Sequence, residues 1–271
     1  MPTTGPGAGP PDSLGRVTEH TGQTHSELAV VSGGGSGMGR AIARDLALAG
    51  RRVLIVGRHG DTLSEASLAI NTEAGDGRVR FAVADLTDPG QAGRITEAID
   101  GEVEVIVNNA GGVASRGADD STLAGVADGW RRDFEANVLS AVLLTTALEP
   151  KLTRPGGRVI LMSSIAALRS GGGSYGAAKA ALHAWCYSLA ARLGPDGITV
   201  NVIAPGYVSG TGFFGSTMTP QRHDLLVSQA LDRRPGRPED IAAAVSYLAS
   251  PAAGHVTAQI LQVNGGALAG R

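Results

Sequence analysis

Leu28-Ala29-Val30-Val31-Ser32-Gly33-Gly34-Gly35-Ser36-Gly37-Met38-Gly39 is the stretch on which the fold turns. Four consecutive apolar residues read as a strand buried on both faces. A glycine-rich run follows, and beyond it Arg40 to Ala49 sets Ile42, Leu46 and Ala49 on one helical stripe. Glycines let a backbone turn tightly and approach a pyrophosphate, while the helix N-terminus behind them favours negative charge. A glycine run alone reads equally as a flexible turn. Its place between a buried strand and an amphipathic helix points instead to a dinucleotide. The spacing Gly33-x-x-x-Gly37-x-Gly39 differs from the G-x-G-x-x-G form of larger dehydrogenases.

Outward from this loop the alternation repeats. Val53 to Val56 reads as a second strand, followed by a helix through Leu63, Ala66 and Ile70. Further strands are expected at Val79 to Ala84, Val103 to Val107, Val159 to Met162, Ile198 to Ile203 and Ile260 to Val263. Helices are expected over Trp130 to Leu148, Ser174 to Leu193 and Pro238 to Leu248. Continuous apolar strands alternating with helices describe an α/β, doubly wound (Rossmann) parallel sheet of about seven strands, with helices on both faces. One domain over 27–271 is expected, with 207–232, which holds Gly210, Gly212, Gly215 and Pro220, as a lid after the sixth strand.

At 271 residues, 42% hydrophobic and 18% charged, the chain fits one globular domain. A formal charge of −2 gives no electrostatic reason to expect nucleic acid or anionic lipid as a partner. Met1 to Ser26 lacks the apolar run of a signal peptide and the arginine-rich pattern of a transit peptide, and reads as a disordered arm. No segment has the apolar length to span a bilayer. The lone cysteine, Cys186, excludes an internal disulfide and fits a reducing, cytoplasmic setting; among Ala184, Trp185 and Leu189 it reads as a buried, inert thiol.

Two clusters carry chemistry. The second strand ends in Val56-Gly57-Arg58, with no carboxylate to chelate the ribose hydroxyls of NAD. Arg58 is placed to clamp a 2′-phosphate, so NADP is expected and NAD is the alternative. Farther on, Tyr175-Gly176-Ala177-Ala178-Lys179 sets a phenol and an ammonium one helical turn apart. A tyrosine near its ordinary pKa of about 10 is a poor acid or base at neutral pH, and a nearby cation favours its phenolate. Only two of the 23 basic residues are lysines, so a lysine here marks a need for a compact ammonium.

Five further signals fall in order: Asp85-Leu86, Asn108-Asn109-Ala110-Gly111, Asn137, Ser163-Ser164 and Pro205-Gly206. With the glycine loop and Tyr175/Lys179, Leu28 to about Gly266 resembles the single-domain short-chain dehydrogenase/reductase family, 3-oxoacyl-carrier-protein reductases and related ketoreductases in particular. The resemblance implies that Tyr175 is the general acid/base. Lys179 would lower its pKa and hold the nicotinamide ribose, Ser164 would bond the substrate carbonyl, and Asn137 would hold a water on the proton relay. It further implies that Gly33, Gly34, Gly35, Ser36 and Met38 cradle the pyrophosphate. Asp85 and Leu86 would contact adenine, Asn109 would wall the adenine ribose, and Val208 would meet the carboxamide. No metal enters the scheme. Asp85 reads equally as a cap for the Asp88-Pro89 turn, and Asn108 as a stitch between strands.

The chain departs from the family pattern in a few places. Ser32 stands where a threonine is usual, Thr211 comes one place late, and the C-terminal motif is Thr257-Ala258-Gln259. The interval from Ser164 to Tyr175 is about two residues short, which keeps Ser163 open as the carbonyl donor. What the resemblance implies is a cytoplasmic, NADP(H)-dependent oxidoreductase that reduces a ketone or oxidises a secondary alcohol, free or carrier-bound. A non-catalytic nucleotide sensor on the same fold is the competing class. Phe213, Phe214, Met218 and Leu225 suggest an apolar wall, and Arg131, Arg132 and Arg169 a landing site for an acidic carrier. Small residues Ala177, Ala180, Ala181 and Ala184 would permit a close twofold contact; the resemblance implies a homotetramer, with a dimer as the alternative.

Overall fold

The computed structural model describes Met1 and residues 28–269. The arm expected over Met1 to Ser26 lies, Met1 apart, outside the described residues. Seven strands form one parallel sheet: β1 Leu28–Ser32, β2 Arg52–Gly57, β3 Val79–Val83, β4 Val105–Asn108, β5 Arg158–Met162, β6 Thr199–Pro205 and β7 Ile260–Val263. Their order is β3-β2-β1-β4-β5-β6-β7. Between them run α1 Gly37–Leu48, α2 Gly60–Ala74, α3 Pro89–Arg94, α4 Leu123–Phe134, α5 Ser140–Leu148, α6 Gly173–Leu193, α7 Pro220–Gln229 and α8 Pro238–Ala249.

Alternate side chains of each central strand enter opposite cores, which is why these strands read as unbroken apolar runs. Leu28 and Val30 of β1 pack with Leu144 of α5 and Leu182 and Leu189 of α6. Their neighbours Ala29 and Val31 pack with Ile42 and Leu46 of α1, Leu63 of α2 and Val245 of α8. Strand order reverses direction at β1, whose neighbours are β2 and β4. The loops after β1 and β4 therefore diverge to opposite faces and leave a crevice at the carboxyl ends of the strands, where such sheets bind ligands.

The expected strands all appear, with ends shifted by one or two residues. Two short helices were not anticipated. Pro89–Arg94 is capped by Asp88, which accepts from the Gln91 N–H at 2.8 Å, and Pro220–Gln229 is capped by Thr219. Asp88, and not Asp85, thus caps this turn. The helix expected over Trp130 to Leu148 begins earlier, at Leu123 behind the Thr122 cap, and is interrupted. Glu135–Leu139 winds as a wide π-turn between α4 and α5.

Candidate active site

The loop after β1 closes on itself through one contact that tolerates no side chain. A Cβ on Gly39 would collide with the Gly33 carbonyl and lie 2.6 Å from Asn109 Nδ2. Helix α1 can therefore start directly against the end of β1 only with glycine there. Asn109 Nδ2 donates to the carbonyls of Ser32 at 3.0 Å and Gly33 at 3.3 Å. The Ser32 hydroxyl accepts from the N–H groups of Asn109 and Ala110, both at 2.9 Å, so a hydroxyl residue at this place ties the β1 and β4 loops together. Ser36 starts α1 with an exposed side chain that makes no capping bond, so the first-turn N–H groups face the crevice. Met38 is half-buried and packs on the core beneath.

These features fit a dinucleotide. A Cβ on Gly34 would strike Ile55 and one on Gly35 would crowd Thr62 at 3.1 Å, so both positions present bare backbone at the rim. Asn109 Oδ1 is buried with no partner among the described residues. Its place beside the loop is that expected for a ribose wall. Thr211 lies over Gly37, where an added Cβ would just touch its methyl, closing the loop from the far side. At the adenine end, Arg58 is exposed at the tip of β2. Asp85 accepts from the Thr87 N–H at 2.9 Å and the Thr87 hydroxyl at 2.8 Å. Those bonds, with the Arg58 charge adding to them, hold its carboxyl below the usual range. Leu86 is buried beside it. Val208 is buried at the entrance to the lid segment, bridged to Gly236.

The end of strand β5 and helix α6 bring the candidate hydroxyls Ser164 and Tyr175 together. Ser164 accepts from the Ala166 N–H at 3.1 Å, capping a short turn, and its hydroxyl lies near enough to the Tyr175 phenol to pull the phenol's pKa down. Ser163 points the other way. Its hydroxyl donates to the Lys179 carbonyl at 3.0 Å and meets His183 Nε2 at 2.7 Å. With its one proton so used, it accepts from the imidazole N–H. Ser164 thus faces the cleft and Ser163 is packed behind it.

Burial outweighs every other influence on the tyrosine. Tyr175 is pushed up to about 12, with the Ser164 hydroxyl pulling down and the Asp133 charge pushing up. Lys179, 4% exposed, is pushed down to about 8 by burial. Its ammonium donates to the Met162 carbonyl at 2.8 Å and stands 5.9 Å from the Tyr175 ring centroid. The expected lowering of the phenol pKa by Lys179 is therefore not what the folded chain displays. A single helical turn of spacing says nothing about desolvation, and desolvation dominates here.

The π-turn has a local cause. Asn137 Nδ2 takes the Asp133 carbonyl at 2.8 Å, the acceptor a regular helix would offer to the Asn137 backbone N–H. The same amide pairs with Gly112 in both directions, at 2.8 and 2.9 Å. Its partner loop needs glycine: Gly111 has φ +146, and a Cβ there would strike Asn137 Oδ1 and come within 3.1 Å of Lys179 Nζ. Asn137 and Lys179 thus share a corner below Tyr175. Asp133, fully buried, was missed by sequence reasoning. Its only signal was a carboxylate on the stripe between Trp130 and Asn137.

The segment after β6 roofs the cleft with aromatic rings. Phe213 lies 5.5 Å from Tyr175 between ring centroids, Phe214 5.0 Å from Phe213, and Tyr207 5.4 Å from Phe214. Tyr207 also hydrogen-bonds His223 Nδ1 at 2.8 Å, which ties α7 to this stack. Met218 is half-buried with them, whereas Leu225 is 59% exposed and belongs to no wall. Of the arginines considered for a carrier, Arg132 pairs with Asp128 at 2.7 Å and Arg169 with Gln229 at 2.9 Å, while Arg131 is exposed. Cys186 is buried, its thiol pushed up to about 11. Among the described residues, no group of three or more potential metal ligands occurs, and no helix is long and apolar enough to cross a membrane.

Comparison with known proteins gives this geometry its context. The family model described as Enoyl-(Acyl carrier protein) reductase matches residues 33–267. The chain is 34% identical over 247 residues to the 3-oxoacyl-[acyl-carrier-protein] reductase FabG of Escherichia coli, covering 89% of this chain and 96% of that protein. It is 35% identical over 247 residues to 7alpha-hydroxysteroid dehydrogenase of Escherichia coli, covering 89% and 93% respectively. Among solved structures it is similar to the RhlG/NADP active-site complex of Pseudomonas aeruginosa, at TM-score 0.80 and 30% identity over 89% of this chain and 96% of that one. The match runs through the crevice, both hydroxyl-bearing elements and the roof, and the chain belongs to the short-chain dehydrogenase/reductase family of oxidoreductases.

Proposed function

We propose that this chain is an NADP(H)-dependent oxidoreductase that reduces a ketone or oxidises a secondary alcohol. The observation that carries the reading is the approach of Ser164 to Tyr175: two hydroxyls from different elements, the serine near enough to pull the phenol's pKa down, meet under an aromatic roof. Two donors at one point suit a single oxygen that gains negative charge during reaction. Tyr175 donates its proton to the forming alkoxide while Ser164 holds that oxygen by a hydrogen bond. Tyr175, raised by burial, holds its proton at neutral pH, so the proton that carbonyl reduction consumes is already on the phenol. Asn137 and Lys179 form the inner end of the proton relay beneath it. Phe213, Phe214 and Tyr207 exclude water and offer an apolar wall to the substrate.

The nicotinamide dinucleotide supplies the hydride when bound. In this reading the loop backbone at Gly33, Gly34, Gly35, Ser36 and Met38 holds its pyrophosphate, Asp85 and Leu86 its adenine, and Asn109 the adjoining ribose. Tyr175 and Lys179 hold the nicotinamide ribose, and Val208 the carboxamide. Arg58, exposed beyond a strand end without a carboxylate, supports the 2′-phosphate. The NADP named in the Pseudomonas aeruginosa complex supports it too. One observation favours NAD(H) as a second reading, namely that Asp85 draws on the Arg58 charge.

The names of the two curated relatives support a 3-oxoacyl or steroid-like ketone, free or carrier-bound. A cytoplasmic setting is consistent with one free, buried thiol. The segment 207–232 acts as the lid. The test is oxidation of NADPH and NADH side by side with a panel of ketones. Tyr175→Phe is expected to lose at least about 100-fold in kcat while still binding NADPH. Full turnover in that variant removes the mechanism.

A further inference from the structure

Asp133 is wholly buried on α4, yet none of the steps above employs it. One carboxylate oxygen accepts from the N–H groups of Ala114 at 2.7 Å and Ser115 at 3.0 Å; the other accepts from the Ser174 hydroxyl at 2.6 Å. Two of the three donors are backbone N–H groups that can only donate, so the group sits there as an acceptor. Ser174 is the residue before Tyr175 in the first turn of α6. Ala114 and Ser115 continue the loop that begins at Gly111, whose neighbour Gly112 is paired to Asn137. One side chain therefore joins the loop after β4, the π-turned helix and the helix that carries the phenol.

We propose that Asp133 is a positioning residue for the oxidoreductase site: its carboxylate locks loop 112–115 to the start of α6 and places a fixed negative charge beside the Tyr175 phenol. The charged groups that face this phenol are few. Lys179 comes from its own helix and Asp133 from α4; β5 contributes the Ser164 hydroxyl, and the roof contributes Phe213, whose carbonyl is held by Arg116 at 2.8 Å. Asp133 therefore opposes Lys179 and biases Tyr175 toward its protonated, donating form. The assignment rests on the proposed role of Tyr175 as the acid.

The test uses the full chain as wild type, Asp133→Asn and Ser174→Ala, with Tyr175→Phe as the blank. Phenolate absorbance of Tyr175 is isolated by subtracting the blank and is read within milliseconds of a pH jump, ahead of unfolding. Asp133→Asn preserves shape and removes charge, so the midpoint falls, by on the order of half a pH unit for a partly screened charge. The pH limits of ketone reduction move in the same direction. Ser174→Ala retains the charge, so its midpoint does not fall, but amide exchange at Ala114 and Ser115 quickens because the tie to α6 is gone. An unchanged midpoint in Asp133→Asn overturns the proposal, as does an equal fall in Ser174→Ala, which would assign the effect to a loosened helix start. Unchanged exchange in Ser174→Ala overturns the locking role even if Asp133→Asn does not fold. A wild type inactive on every ketone would sink the oxidoreductase reading instead, and the phenolate titration would still decide the role of Asp133.

Discussion

At the scale of single residues, the chemistry of this chain is set by what surrounds a group more than by what the group is. Lys179 shows this most clearly. Burial holds its ammonium near pH 8 in the folded chain, against an ordinary value of 10.5. Between those values the unfolded chain binds more protons than the folded one, so stability rises as pH rises through that window. Below pH 8 both states are protonated and the full cost of burying the charge is present. Lys179→Met is therefore expected to be more stable than wild type at pH 7, by on the order of 1 kcal/mol, with the rise toward pH 10 abolished. Thermal melts across pH 6–10 check both effects, and a parallel pair of curves would contradict the account. Gly39→Ala makes a steric prediction. The added methyl meets the Gly33 carbonyl, which is backbone, and the Asn109 amide, which its bonds to the Ser32 and Gly33 carbonyls hold in place. Backbone at the loop must move, and NADPH affinity is expected to fall by roughly 10-fold or more, read by quenching of protein fluorescence. The Tyr175–Lys179 spacing and the glycine loop were legible because both are local patterns. The choice of Ser164 over Ser163 was not, since adjacent residues on a strand end point to opposite sides and only packing says which side is the cleft.

At the scale of elements, the informative feature is the break between α4 and α5. From apolar periodicity Trp130 to Leu148 reads as one uninterrupted helix, and its buried apolar residues Ala141, Leu144 and Leu148 do share one core. Asn137 alone converts five residues into a wider turn by claiming the Asp133 carbonyl for its side chain. Its other bonds run to Gly112, 25 residues away along the chain, so nothing in a helical window reveals them. Asn137→Ala leaves the Gly112 N–H and carbonyl without their partner and lets the helix regularise. It is expected to cost about 1–3 kcal/mol in stability, together with a kcat loss larger than any change in KM. Melting curves and steady-state kinetics with a responsive ketone measure this. Unchanged kcat with lowered stability would leave Asn137 a structural residue only. The two missed helices share a different reason. Both begin with proline after a capping Asp or Thr, in segments short enough or polar enough that apolar spacing carries no signal.

At the scale of the whole molecule, several large apolar side chains among the described residues are exposed, and two groups of them lie on opposite flanks. On one flank, Trp130 and Phe134 of α4 and Leu139 of the π-turn are each more than a third exposed, and Phe134 and Leu139 line a groove of about 310 Å³. On the opposite flank, Tyr247 of α8 and Leu261 of β7 are exposed beside the last strand. Two distinct self-complementary faces are what a tetramer with twofold axes requires, and this assembly is the expectation here. Ala184 is exposed and Ala177, Ala180 and Ala181 are half-buried, so α6 can join the first face. Trp130→Glu is expected to reduce a tetramer to dimers by light scattering on a sizing column, without loss of secondary structure by circular dichroism. A monomeric wild type would refute the assembly. The amino-acid sequence by itself determined the alternating architecture, the type of nucleotide loop and the order of the reacting groups, because each is written in the spacing of near neighbours. Tertiary structure alone decided which serine faces the tyrosine, that Asp133 stands beside it, and that the phenol is held up and not drawn down. Those outcomes depend on desolvation and on hydrogen bonds between residues distant in the chain, and both exist only once the strands and helices have packed.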